Sequence, residues 1–269
     1  MKRIQFKILQ RRTRFRNPSH LTQLPDDFTF SQKEWAAAEA YIAKLNVQNI
    51  QSTYPGHENY PAAFLKMKEP PLFLEYKGKP FWKNMRFISV VGSRDLSFLT
   101  EGWMKSELSS FIQNSSAGIV SGGARGVDQL AHLLCLKLSR PSIFILPSGL
   151  DCIYPPNLSH FQNAEYEKLA CFLSEFELDQ KIHKAHFYFR NRLISALSQF
   201  TLVTQASLKS GSLLTVHHCL ENGRPVLTVP SHPHMIGFDG NLKLIREGAF
   251  PAASQQDLLD FWNAEIAYK

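Results

Sequence analysis

The chain has 269 residues, 44% of them hydrophobic and 20% charged, enough for one large α/β domain with a substantial core and a smaller appendage. No apolar run is long enough to cross a bilayer as a helix, so no membrane association is expected. The formal charge of +7 belongs to one end: Lys2, Arg3, Lys7, Arg11, Arg12, Arg14 and Arg16 fall within residues 1–20 without an acid, and the remainder is formally neutral.

That basic stretch, residues 1–24, reads first as a solvated, flexible tail. A phosphate-binding arm and an acid-poor targeting sequence share its composition. Residues 25–80 form a short helical and extended segment. Ser31 with Glu34 makes a capping box ahead of a helix, and Leu72 to Lys77 reads as a strand entered through Pro70-Pro71 and closed by Gly78. Residues 81–269 alternate regularly. Strands are predicted near 87–91, 117–121, 142–147, 171–174, 200–205 and 225–229. Helices are predicted at about 97–113, 127–138, 157–168, 190–198 and 212–222, with one more after Gly240-Asn241. This rhythm predicts an α/β fold: an extended Rossmann-like, doubly wound and mostly parallel sheet. Cys135, Cys152, Cys171 and Cys219 form no close pair and read as reduced, mostly buried side chains of a cytoplasmic protein.

Two strand–loop–helix units stand out. One strand stops at Gly92-Ser93-Arg94, the next at Ser121-Gly122-Gly123-Ala124-Arg125-Gly126. Glycines let the backbone turn sharply, and the helix that follows aims free N–H groups at an anion. Lys209-Ser210-Gly211-Ser212 precedes a third such helix start. Adjacent loops of this kind predict a phosphate site at the sheet's C-terminal edge.

The motifs, taken together, resemble the DNA-processing protein A (DprA/Smf) family. The pieces come in that family's order: Val91-Gly92-Ser93-Arg94, Ser121 to Asp128 with Ala131-His132, Gly149-Leu150-Asp151 with Tyr154-Pro155 and Asn157, and Leu173-Ser174-Glu175. Then follow Phe187-x-x-Arg190-Asn191-Arg192-Leu193-Ile194, Ser210-Gly211-Ser212-Leu213 with Thr215, Gly223-Arg224-Pro225-Val226, and Gly240-Asn241 leading to Gly248-Ala249. Each piece is weak alone and the ordered set, over roughly residues 54 to 250, is specific. Three positions depart from the pattern. Gly123 replaces an aliphatic residue, Ser231 a glycine, and Pro156 a basic residue that would contact a phosphate. The resemblance implies single-stranded DNA as ligand, a homodimer, and delivery of DNA to a RecA-type recombinase in natural transformation. About twenty residues follow Ala249, so the winged-helix domain of many members is expected to be absent.

The residues themselves support a nucleic-acid reading. Arg94 suits a phosphate, its bland alternative being an ion pair with Asp95. Lys184, Phe187, Arg190 and Arg192 offer an aromatic face flanked by cations, on which a base can stack while phosphates are held. In the bland reading the arginines brace loops. Asn191 lies among them. Asp128 and His132, four apart, look like a catalytic pair but read better as a helix cap and a packed histidine. The expected DNA-binding set is Gly92, Ser93, Arg94, Ser121, Gly122, Gly123, Arg125, Gly126, Lys184, Phe187, Arg190, Asn191, Arg192, Lys209, Ser210, Gly211 and Ser212. Neither a cofactor nor chemical turnover is expected. The alternative is a nucleotide-binding or nucleotide-hydrolysing enzyme similar to the lysine-decarboxylase-like phosphoribohydrolases. Those need a glutamate soon after the third loop, and here none comes until Glu221.

Overall fold

The computed structural model describes residues 1–13 and 29–267. Its centre is a sheet of strands β1 (Gln51–Thr53), β2 (Leu74–Lys77), β3 (Phe87–Val91), β4 (Gly118–Ser121), β5 (Ser142–Ile145), β6 (Ala170–Ser174), β7 (Ser198–Val203), β8 (Val226–Thr228) and β9 (Phe250–Pro251). The spatial order is β1-β2-β6-β5-β4-β3-β7-β8-β9. Every pairing from β6 to β9 is parallel, and β1 and β2 join antiparallel at one side. The chain winds outward from β3 in both directions, so the order reverses between β3 and β7. A crevice forms at such a reversal because the loops leaving the two strands part to opposite faces.

The strands are nearly all apolar because both faces are covered. On one face Ile88, Val90 and Ile119 meet a broken helix over residues 98–115, α5 (Val127–Lys137) and α9 (Gln255–Ala267). The broken helix consists of α3 (Phe98–Trp103), a π-helical turn (Met104–Leu108) and α4 (Ser109–Ser115). On the other face Phe87, Val120 and Ile143 meet α6 (Lys184–Leu197), while Val91 and Val203 meet α7 (Ser212–Glu221) and α8 (Asp239–Arg246).

The expected α/β sheet is present, and two local expectations are corrected. Helix α6 starts at Lys184 rather than 190, because the His183 ring accepts the Ala185 N–H and opens the helix early. Only a short 3-10 helix, Pro156–Gln162, occupies the stretch expected as a helix over 157–168, and turns follow it. The basic terminus is folded over its described part. Lys2–Thr13 is a helix, α1, and it docks beside α2 (Gln32–Val47) with Phe6, Lys7, Ile8, Leu9 and Gln10 buried. Its arginines are engaged within the chain. Arg3 donates to Ser52 and Asn46, Arg11 to Glu177, and Arg12 to Glu34. Arg12 and Ser31 together hold the Glu34 carboxyl down at about 2. Arg14 and Arg16 lie outside the described residues.

Candidate nucleic-acid interface

A cleft of about 660 Å³ opens where the order reverses, between the loops that leave β3 and β7. Gly92, Ser93 and Arg94 form one wall; Ser210, Gly211 and Ser212 at the start of α7 form another; and Phe187, Arg190 and Asn191 of α6 close the third. The β3 loop is held at both ends. Ser93 donates its N–H to the Gln205 carbonyl (2.8 Å) and accepts the Val127 N–H (3.1 Å). Gln205, which is absent from the set expected from sequence, also accepts the Ser97 N–H and donates to the Asp95 carbonyl. Its position just beyond the β7 end, facing β3 across the reversal, was the available signal.

Arg94 projects from this fixed loop into solvent. Its guanidinium lies 5.9 Å from the Phe187 ring centroid and, among the described residues, has no carboxylate partner. The ion pair with Asp95 does not form. The Arg190 guanidinium lies 5.7 Å from the same ring. Phe187 is half-buried, Lys184 is exposed one helical turn earlier, and Arg125 is exposed at the rim beside Tyr154.

The glycine loop after β4 does something other than predicted. Its Gly122 and Ala124 N–H groups are already taken by the Asp128 carboxylate, at 3.2 and 3.3 Å. The anion at this loop is therefore the chain's own. Ser121 is fully buried and donates to the Val90 carbonyl; Gly123 turns at φ +69 against Leu158; Gly126 turns at φ +80 against the Ser93 carbonyl. Ser121, Gly123 and Gly126 thus lie beneath the cleft without lining it, whereas Ala124 and Asp128 reach its surface.

Arg190 is the floor's main tie. It is buried and donates through one nitrogen to the carbonyls of Gly122 and Ile145, both at 2.6 Å, fastening the ends of β4 and β5 together. Burial lowers its guanidinium to about 10, with Asp128 opposing the shift, so it stays charged at neutral pH. Gly122 is needed for this approach, because a Cβ there would run into the guanidinium. Gly122→Ala should cost about 1–3 kcal/mol through overpacking. A urea melt indistinguishable from that of the unsubstituted protein would refute the tie.

Asp128 and His132 do not form a pair. Burial pushes the His132 imidazole down to about 3, and the ring stacks on Phe144 while bonding Ser142. Arg192, expected at the nucleic acid, faces the opposite way: it pairs with buried Glu175 and donates to the Glu69 carbonyl. Lys209 is exposed but stands outside the cleft. Among the described residues no cluster of metal-binding side chains forms, and no helix is long and apolar enough to cross a membrane.

Residues 51–263 match the family described as DNA recombination-mediator protein A. Protein Smf of Synechocystis sp. is 34% identical over 224 residues, covering 81% of this chain and 56% of that protein. The chain thus spans little more than half the length of that relative. Among solved structures, DNA processing protein A of Streptococcus pneumoniae superposes with a TM-score of 0.76 at 26% identity, covering 97% of this chain and 93% of that one. The protein of the same name from Helicobacter pylori superposes with a TM-score of 0.69 at 30% identity, covering 81% and 96%. That structure is described as giving insight into a single-stranded DNA binding mode.

Proposed function

The chain belongs to the DNA recombination-mediator protein A family, and from that premise we propose that it binds single-stranded DNA with little sequence preference in the cleft beside α6. One observation carries the reading: Arg94, exposed and without a carboxylate partner among the described residues, stands beside the half-buried Phe187 ring at the mouth of the crevice. A single strand offers phosphates and unstacked bases together, and this pairing of cation and ring meets both. Arg125 and Lys184 extend the cationic rim, and the α7 start with its Ser210 and Ser212 hydroxyls faces the same space. The H. pylori relative described for its single-strand binding mode supports the same ligand class.

In this reading the protein acts as a homodimer in the cytoplasm and hands the strand to a RecA-type recombinase, with no chemical turnover. The engagement of Asp128 by its own loop and the turning of His132 towards Ser142 favour a binding role.

Anisotropy of labelled oligo-dT against its duplex, titrated with salt, tests the cleft. Oligo-dT should bind more tightly than duplex. Arg94→Ala should weaken binding and flatten the logarithmic salt dependence by about 0.7 for each phosphate that is no longer neutralised. Phe187→Ala should cost about 1–3 kcal/mol, roughly 5- to 150-fold. A double variant that binds oligo-dT as tightly as the parent would sink the reading.

A further inference from the structure

Past Phe187 the cleft continues into an open trough of about 870 Å³. Its walls are Tyr154, Ile182, Phe187, Tyr188 and Leu214, and Arg94 and Lys184 stand at its edge. Three of these side chains are open to solvent together: Tyr154 is 39% exposed, Tyr188 44% and Leu214 47%. Lys184, Phe187 and Tyr188 are spaced i, i+3 and i+4 on α6 and so share one face. Leu214 comes from the first turn of α7, which packs beside α6.

The rings are held in place by their neighbours. Tyr188 stands edge-on to His218, 4.5 Å between centroids at 63°, and His218 is fixed through Nδ1 to Glu221 at 2.9 Å. Tyr154 meets Phe187 edge-on, 6.4 Å apart at 81°. A ring with two torsions, already positioned, loses little freedom when another flat group stacks on it.

We propose that this trough is a base-stacking extension of the cleft. Nucleotides on one side of the one seated at Phe187 lay their bases against Tyr188, Leu214 and Tyr154 while the backbone passes Lys184. The inference rests on the single-strand reading of the cleft. Three features select this occupant. The trough shares Arg94 and Phe187 with the cleft, so one strand runs through both. Among the described residues no acid lines it, and cations stand at its edge, as suits a polyanion. Its walls are mainly aromatic and aliphatic, and the His183 ring among them is engaged by the Ala185 N–H, which fits bases taken by their faces. A duplex hides those faces.

The test compares oligo-dT with an abasic oligomer of equal length and the same phosphates, by anisotropy. Tyr188→Ala should weaken oligo-dT binding roughly 5- to 150-fold and leave abasic binding unchanged, while Tyr188→Phe binds like the parent. Leu214→Ala, a truncation at a half-exposed site, should shift oligo-dT binding in the same direction. Arg94→Ala should weaken both ligands. If Tyr188→Ala and Leu214→Ala bind oligo-dT as the parent does while Arg94→Ala does not, the trough is overturned and the cleft stands. An equal weakening on both ligands also overturns it, since stacking needs bases. If Arg94→Ala combined with Phe187→Ala leaves oligo-dT binding intact, the single-strand reading fails, and the trough with it.

Discussion

Lys7→Met should destabilise the protein by about 3–5 kcal/mol, the cost of leaving a buried charge without its partner. Lys7 is fully buried, with its ammonium 3.0 Å from Glu75, 3.3 Å from Glu177 and 3.0 Å from the Gln10 side chain. It lies 4.1 Å from the Tyr41 ring centroid and 4.8 Å from that of Phe73. Glu75 is 1% exposed; burial pushes its carboxyl up, and Lys7 with Tyr41 pulls it back. Tyr41 donates to the same carboxylate oxygen and accepts the Leu178 N–H, so the network joins α1, α2, β2 and the segment after β6. Methionine fills the volume and removes the charge, stranding Glu75. Changing Lys7 and Glu75 together to methionine should cost far less, because neither charge is then left alone. Urea melts of the two single variants and the double variant measure the coupling. A Lys7→Met change within about 0.5 kcal/mol of the parent, the range of surface substitutions, would contradict the buried network.

Arg192→Met should cost a similar amount, about 3–5 kcal/mol, and the deficit should depend on pH. Burial raises the Glu175 carboxyl above its ordinary range, and Arg192 opposes that. Without the guanidinium the carboxyl rises further. A carboxyl whose folded pKa exceeds its unfolded value holds a proton in the native state that the unfolded chain has released. Stability then falls as pH rises between the two values. The deficit of Arg192→Met should therefore be smaller at about pH 5 than at about pH 8. Because Arg192 faces Glu175 and the Glu69 carbonyl, the folded variant should bind oligo-dT as the parent does. An oligo-dT defect in fully folded Arg192→Met, or a deficit that grows on acidification, would contradict this placement.

These two cations also show where the sequence was legible. The strands that carry the cleft were readable because Phe87 to Val91 and Gly118 to Ser121 are short apolar runs cut by glycine, and burial on both faces forces that pattern. Arg94 and Phe187 both line the cleft: the first was placed there because the end of a parallel strand is where a ligand fits, the second because cations are spaced around an aromatic ring. Arg192 was misread although the information was present. Residues two apart on a helix point to nearly opposite sides, so Arg190 and Arg192 could not both face one strand of DNA. The first helix was hidden for another reason. Phe6 and Leu9 set an apolar face, but the charges around them dominate the composition, and their partners Glu75 and Glu177 stand far along the chain. The glycine loop after β4 misled because Asp128, at the start of α5, folds back to supply the anion.

The sheet's two margins carry a consequence for association. One is the three-residue β1; the other is the two-residue β9, where Pro251 has no N–H to offer. Short margins, one interrupted by proline, give a neighbouring molecule little backbone to pair with, which protects a wide sheet from edge-to-edge growth. Side chains on helices and loops then offer more surface than backbone for contact between copies of this chain. Such contacts can be tuned or broken by single substitutions without disturbing the ladder of hydrogen bonds inside.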